Sequence, residues 1–313
     1  MTRKTISVVT PCFNEEAGIA ECYEAVKRVF EMEMPDFDRE HIFIDNCSGD
    51  RTVAILKEIA ARDHAVKIIV NARNFGHARS PHHAILESRG DAVTPVLADL
   101  QTPPSILPEM AARWRDGFKV VVAVRKDTGE GFVARKVRSL FYSVIQRLSK
   151  VEQIPNFMGY GLYDRQVVDV MRTLYDPEPY FRGLVPEIGF ARAVVEYAQP
   201  ERRHGRSRHS LMDLVDLALV ALSIYSKAPM RVMTLIGAAT AALSLLAGFV
   251  YFIVKLLYWD SIPLGVAPLL LATLLLGAIQ LVALGLLGEY VVLLLQYARR
   301  FPLVVERERI NFD

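Results

Sequence analysis

Two carboxylates, Asp45 and Asp99, each follow a run of apolar, β-branched residues and are flanked by polar ones, in Asp45-Asn46-Cys47-Ser48-Gly49-Asp50 and Asp99-Leu100-Gln101. Asn14-Glu15 and Arg125 end two further runs of the same kind. A carboxylate beside Gln101 can hold a divalent cation that bridges a diphosphate, because Mg2+ and Mn2+ take hard oxygen ligands from protein and phosphate alike. One strand-end Asp is ordinarily a turn or cap residue; two, at the ends of the second and fourth expected strands, together point to a ligand site. The chain has no Gly-x-Gly-x-x-Gly after the first run and no Gly-x4-Gly-Lys-Ser/Thr, which argues against a dinucleotide fold and a P-loop NTPase.

The elements that must carry these residues alternate at α/β spacing over residues 5–125. Strands are expected at 5–10, ended by Pro11, and at 41–44, 66–70, 92–98 and 119–124. Helices are expected at 17–30, 52–61, 78–88 and 105–116. Glu15 and Glu16 lead the first helix, as helix N-termini prefer, and Asp50 is placed to cap the second. In an open parallel sheet the C-terminal strand ends form the ligand edge, and all four polar clusters fall there.

The chain has 313 residues, 37 basic and 35 acidic, and 52% are hydrophobic. Its mean hydropathy is +0.22. The 70 residues from 229 to 298 contain four charges, Arg231, Lys255, Asp260 and Glu289. The other 243 residues hold the remaining 68, about 28%, which is ordinary for a soluble domain. Disorder is excluded by the apolar content, and a disulfide scaffold by three scattered cysteines. The near-neutral balance leaves no nucleic-acid footprint. The N-terminus reads as a first strand, since about seven apolar residues are too few for a signal-peptide core. The globular part is therefore expected in the cytoplasm, with its thiols reduced.

Residues of about 230–258 and 265–297 each exceed the roughly 20 needed to cross a bilayer as a helix, and the short linker makes them an antiparallel hairpin. Lys227, Arg231, Arg299 and Arg300 flank the pair and the linker has no Lys or Arg, so both ends are expected at the cytoplasmic face. Glu289 is read as an interfacial residue paired with an Arg. The organisation expected is a binding core at 1–130, an acceptor-side and membrane-interface segment at 131–228, the hairpin at 229–298 and a cytoplasmic tail at 299–313. Residues 132–148 place apolar side chains at helical spacing between Arg135, Lys136, Arg138 and Arg147, a pattern for a helix lying in the membrane interface or packing on the core. Residues 210–226 are a second such candidate. The basic run 201–209 reads as a mobile loop over phosphates or as a membrane-surface patch. Cys12 reads as a packing residue. His77, His82 and His83 read as helix-start or phosphate-facing residues rather than as a metal site.

Several segments together carry a resemblance. They are Pro11-x-Phe13-Asn14-Glu15-Glu16, Phe43-Ile44-Asp45-Asn46-x-Ser48-x-Asp50, Arg73-Asn74-Phe75-Gly76 and Ala98-Asp99-Leu100-Gln101-x-Pro103-Pro104. Residues 156–165, Phe181-Arg182-Gly183-Leu184, Gly205-x-Ser207-x-His209-Ser210 and Leu287-Gly288-Glu289-Tyr290 continue it. In this order, over essentially the whole chain, they resemble the family 2 glycosyltransferases, and within them the polyprenyl-phosphate group that includes dolichol-phosphate mannose synthase and the bactoprenol glucosyltransferases.

The resemblance implies a GT-A-type α/β fold, an open, mostly parallel sheet flanked by helices, with amphipathic interface helices and a C-terminal two-helix transmembrane hairpin. It implies inverting transfer of one sugar from a nucleotide-sugar to a membrane polyprenyl phosphate, with Mg2+ or Mn2+ as cofactor. Residue by residue, Pro11, Phe13, Glu15, Phe43, Asp45, Ala98 and Asp99 match donor nucleotide-binding positions, and Asp99 with Gln101 the metal positions. Arg125, Arg202 and Arg208 match basic residues at the phosphates, while Arg135 and Ser139 match positions associated with the lipid phosphate. Catalytic weight falls on Asp99 and Arg125, with Arg125 also at the acceptor phosphate. Leu97 and Asn46 stand where many members carry Asp, and Arg208 where Lys is commoner. A homo-oligomer is consistent with the resemblance. The readings that compete with single-sugar transfer are a processive polysaccharide synthase and a catalytically weakened membrane scaffold.

Overall fold

Apolar β-branched runs and amphipathic helices alternate along the first 125 residues, and the chain buries them as layers. The structure, a computed structural model, describes residues 3–126, 154–155, 157–177, 179, 181–198, 200, 228–258 and 266–312. These form two units: an α/β unit that takes in the chain up to position 200 together with Arg300 onward, and a helical pair.

In the α/β unit the strands are β1 (Lys4–Cys12), β2 (Phe37–Asp45), β3 (Val66–Asn71), β4 (Ala92–Pro95), β5 (Val120–Arg125), β6 (Phe157–Asp164), β7 (Arg192–Tyr197) and β8 (Glu306–Ile310). They make one sheet in the order β7-β5-β6-β4-β1-β2-β3-β8. Strand β1 runs parallel to β2 and β4, β2 to β3, and β5 to β7. Only β6 and β8 pair antiparallel, β6 between β4 and β5 and β8 along β3. The expected mostly parallel α/β sheet is thus present, with β1 extending through Pro11 rather than stopping there and β4 shorter than expected. The close approach of β6 to β5 requires Gly161, where a Cβ would lie 2.5 Å from the Val121 carbonyl oxygen.

Helices cover both faces. On one, α1 (Ile19–Glu33) and α4 (Leu107–Arg115) bury Cys22, Val26, Phe30, Met110 and Trp114 against Ile6, Val8 and Leu162. Their spacing of four residues along each helix is the apolar stripe of an amphipathic helix. On the other, α3 (Gly76–Glu87), α5 (Arg165–Thr173) and α6 (Phe181–Ile188) pack Ile85, Val168, Met171 and Leu184 against Val9, Ile44, Ile69 and Tyr163. Helix α2 (Thr52–Ala60) closes a third cluster around Leu56, Phe43 and Ile68.

The segment expected as a tail after the hairpin instead supplies β8, the sheet's last strand. Its alternating Glu-Arg-Glu-Arg sequence hides the strand from a hydrophobicity reading, but Glu306, Glu308 and Arg309 each have a partner elsewhere in the unit. Lys57 meets Glu308 at 2.7 Å, His83 meets Glu306 at 2.6 Å, and Arg309 meets Glu87 at 2.8 Å. Val304 is buried, and Asn311 Nδ2 donates to the Ala60 and Val66 carbonyls at 3.0 and 2.9 Å.

The helical unit contains α7 (Ala228–Leu257) and α8 (Val266–Arg299). Stretches within them, Met233–Tyr251 and Leu275–Arg299, are long and apolar enough to cross a membrane. Leu243, Leu281 and Leu294 are each about two-thirds or more exposed. Apolar surface this continuous is stable in a bilayer, where the helices satisfy every backbone hydrogen bond internally.

Candidate active site

Because β1 to β5 and β7 point the same way, their C-terminal ends share one edge of the sheet. The antiparallel strands β6 and β8 begin at that same edge. It therefore collects Pro11, Asp45, Asn71, the Ala98–Gln101 turn and Arg125, together with Phe157 and Glu306.

The loops after β1 and β2 are interlocked. Asn14, at φ 56°, donates its N–H to Ser48 Oγ and accepts Gly49 N–H on its side chain, both at 2.9 Å. Glu15 N donates to Thr52 Oγ1 at 2.9 Å and Glu16 N to Asp50 at 3.2 Å, while Arg51 N returns a bond to Glu16 at 3.0 Å. Helix α2 begins at Thr52 as expected, but its N-cap position is Arg51; Asp50, one residue earlier, still accepts the Thr52 N–H on Oδ1 at 3.0 Å. Hydrogen bonds with Thr52 and with Glu16 N–H outweigh partial burial and hold its carboxyl below the usual carboxylate range.

Asp45 is fully buried. It accepts the Ser48 N–H at 2.9 Å and also the Ser48 hydroxyl. Asp45 is thus the turn residue of its loop, each carboxylate oxygen accepting one bond from Ser48. Phe43 is also fully buried, packed with Cys12 and Ala98, so its ring supports the site from below. Pro11, Phe13 and Glu15 are half-buried at the edge itself.

Asn46 is a hub that sequence reasoning registered only as a missing carboxylate. Its Nδ2 donates to Asn74 Oδ1 at 2.9 Å and to the Gly76 carbonyl at 3.1 Å. Its Oδ1 accepts Asn71 Nδ2 at 3.1 Å and Phe75 N–H at 2.9 Å. Two donors and two acceptors use the full capacity of a primary amide. They bind the loop after β3 to the loop after β2. The Asn71-x-x-Asn74 spacing was the available signal.

After β4 the chain turns through Leu100, a non-glycine residue at φ 57°. Strain of this kind persists where surrounding contacts over-determine it, and it clusters at functional sites. Here Leu100 N donates to the Leu97 carbonyl at 3.0 Å, Leu97 N to Thr102 Oγ1 at 2.7 Å, and Gln101 N to Asp99 Oδ1 at 3.1 Å. The turn leaves Asp99 and Gln101 half-buried at the edge. One carboxylate and one amide oxygen fit a divalent cation whose remaining ligands come from phosphate and water. Among the described residues, no group of three or more His, Cys, Asp or Glu side chains is placed to hold a metal alone.

Arg125 closes β5 in register with Tyr197 of β7. Burial pushes the Tyr197 hydroxyl up, with the Arg125 charge opposing. Tyr197 meets the Tyr160 ring edge-on at 5.6 Å, and Tyr160 Oη donates to the Pro103 carbonyl at 3.0 Å. Tyr160, unremarked in the sequence, therefore links the Asp99 turn to the strand pair that ends in Arg125. Arg135, Ser139, Arg202 and Arg208, the basic run 201–209 and both candidate interface helices lie outside the described residues.

Cys12, Cys22, His82 and His83 are structural. Burial, then the nearby Asp45, pushes the Cys12 thiol well up, and burial pushes Cys22 up to about 12, so neither is an activated thiolate. His82 packs edge-on to Phe181 at 5.4 Å and His83 pairs with Glu306.

Residues 7–172 match the family described as glycosyl transferase family 2. Over 309 residues the chain is 33% identical to the uncharacterized glycosyltransferase YkcC of Bacillus subtilis (strain 168), covering 98% of this chain and 94% of that one. Over 287 residues it is 33% identical to the bactoprenol glucosyl transferase of Shigella phage SfV, covering 91% of this chain and 92% of that one. Among solved structures, glucosyl-3-phosphoglycerate synthase from Mycobacterium tuberculosis, in complex with Mn2+, uridine diphosphate and phosphoglyceric acid, is 20% identical with a TM-score of 0.49, over 70% of this chain and 76% of that one.

Proposed function

The chain belongs to glycosyl transferase family 2 and is a glycosyltransferase, and from that premise we propose that it transfers a single sugar, with inversion, from a nucleotide-sugar to a polyprenyl phosphate at the cytoplasmic membrane face. The observation that carries this reading is where the chain leaves and re-enters the sheet. It departs after Arg125 and returns at Phe157, then departs after Tyr197 and returns at Glu306, and all four points lie on the ligand edge. The second excursion contains both apolar helices. An acceptor anchored in a membrane has to reach the ligand edge of the sheet, and the chain runs from that edge into the apolar helices and back to it.

The donor lies over the interlocked loops after β1 and β2, against Pro11, Phe13 and Glu15, with Ala98 and Asp99 at its diphosphate end. The acceptor is already an anion near neutral pH, since the second pKa of a phosphate monoester is about 6. No strong general base is needed. An acceptor phosphate oxygen bonds to the anomeric carbon as the bond to the donor diphosphate breaks on the opposite face, and the nucleoside diphosphate leaves. The task left to the protein is to bring two polyanions together and stabilise the departing one, which preorganised cations and dipoles do. Asp99 and Gln101 would hold Mg2+ or Mn2+, which supplies charge neutralisation to the leaving diphosphate when bound. Arg125 and Arg135, with Ser139, place the acceptor phosphate, and Arg202 and Arg208 meet the donor phosphates.

Purified protein incubated with labelled UDP- and GDP-sugars and a polyprenyl phosphate tests the reading. One sugar per lipid supports it; a growing polymer would indicate a processive synthase, and no transfer with any donor a scaffold.

A further inference from the structure

Strand β8 starts at the ligand edge beside the loop after β3, and its first contact there is with that loop. The Ala72 N–H donates to the Val305 carbonyl at 2.8 Å, and Asn71 pairs with Glu306 across a register shift between Val70 and Asn71. Such irregularities recur beside active sites, where they re-aim a strand end. On its other side Ala72 presents its carbonyl to Cys47 Sγ at 3.7 Å. The loop then continues through Asn74, Phe75 and Gly76, the three residues that Asn46 binds. Asn46 follows Asp45, whose carboxylate shapes the loop that locks onto Asn14 through Ser48 and Gly49. A path of hydrogen bonds joined by short backbone segments therefore runs from the last strand to the donor side of the site.

We propose that the C-terminal strand is a positioning element of the donor site. By holding Ala72, the Val305 carbonyl sets the loop after β3, and through Asn46 it sets the loops against which the nucleotide binds. The strand is also held independently of this contact, by Lys57–Glu308, His83–Glu306 and Arg309–Glu87. One hydrogen bond can thus be removed without releasing the strand. The proposal rests on the donor site described above, and it assigns to the residues following the apolar helices a part in nucleotide binding.

The test uses the full-length protein carrying Ala72→Pro. The substitution deletes one N–H at an exposed position that follows a strand residue, so the extended conformation that proline demands of its predecessor is already present. UDP and GDP binding is measured without acceptor, and KM for donor and acceptor is measured separately. Loss of one backbone hydrogen bond predicts an increase of about fivefold in nucleotide Kd and donor KM, with acceptor KM within twofold of wild type. A second protein, ending at Pro302, should show a larger donor defect that a synthetic peptide of residues 303–313 relieves. Wild-type nucleotide Kd and donor KM in Ala72→Pro overturn the proposal whatever the shortened chain does. So does a lowered Tm with both KM values unchanged, which would mark the contact as merely structural. Failure of the wild-type protein to transfer any sugar would instead count against the proposed function, and the nucleotide Kd comparison would still decide this one.

Discussion

Tyr160 Oη donates to the Pro103 carbonyl at 3.0 Å while its ring lies edge-on to Tyr197, the register partner of Arg125. One buried side chain therefore spaces the Asp99 turn from the strand end that presents Arg125. Tyr160→Phe keeps the ring and removes the bond. It is expected to cost about 1 kcal/mol of stability and to lower kcat/KM by about fivefold, checked by thermal unfolding and steady-state kinetics.

Asn46 serves as donor and acceptor to three neighbouring residues and to Asn71. Asn46→Ala leaves the Phe75 N–H and the Gly76 carbonyl without that partner in a closely packed loop. The expected loss is about 2–4 kcal/mol, read as a lowered Tm, together with weakened nucleotide binding.

His82 is buried, and Nδ1 has no hydrogen-bond partner. Burial first, and the neighbouring His83 second, push its pKa from 6.5 down to about 4. Between these values the unfolded chain binds a proton that the folded chain refuses. Stability is therefore full above about pH 6.5 and declines as pH falls to about 4, by roughly 3 kcal/mol from this residue. His82→Gln should flatten the fall in Tm across that window; an unchanged slope would place the titration elsewhere.

Leu97 is 39% exposed two residues before Asp99. Leu97→Asp adds a carboxylate at the edge. Because divalent affinity rises with the charge of the ligand set, half-maximal activation by Mn2+ should need roughly tenfold less metal. An activity titration against metal concentration checks this.

Much of this arrangement is legible in the residues. Runs such as Thr-Ile-Ser-Val-Val-Thr and Lys-Val-Val-Val-Ala-Val announce buried strands, and the polar residues after them fall on the shared edge because parallel strands leave no alternative. Strand β6 is less legible, since Phe-Met-Gly-Tyr-Gly-Leu-Tyr-Asp carries two glycines that weaken a strand by propensity. Gly161 is there because β5 passes too close for a Cβ. Strand β8 was unreadable for another reason. Glu-Arg-Glu-Arg-Ile has the composition of a solvated tail and becomes a strand only through partners such as Lys57, His83 and Glu87, more than 200 residues away. Asp45 shows the limit at single-residue level. Its type and position suit a ligand contact, and the structure adds a turn role, through burial and its bonds to Ser48, that packing alone reveals.

The most direct measurement counts sugars on the lipid product. Purified wild-type protein and Asp99→Asn are given labelled nucleotide-sugar, Mg2+ or Mn2+ and polyprenyl phosphate in bilayer nanodiscs, and the lipid fraction is weighed by mass spectrometry. The account predicts one sugar per lipid phosphate for the wild type, no extension on prolonged incubation, and loss of most turnover in a folded Asp99→Asn protein. Multiply extended lipid, no lipid-linked sugar with any donor, or an Asp99→Asn enzyme as active as wild type would contradict it.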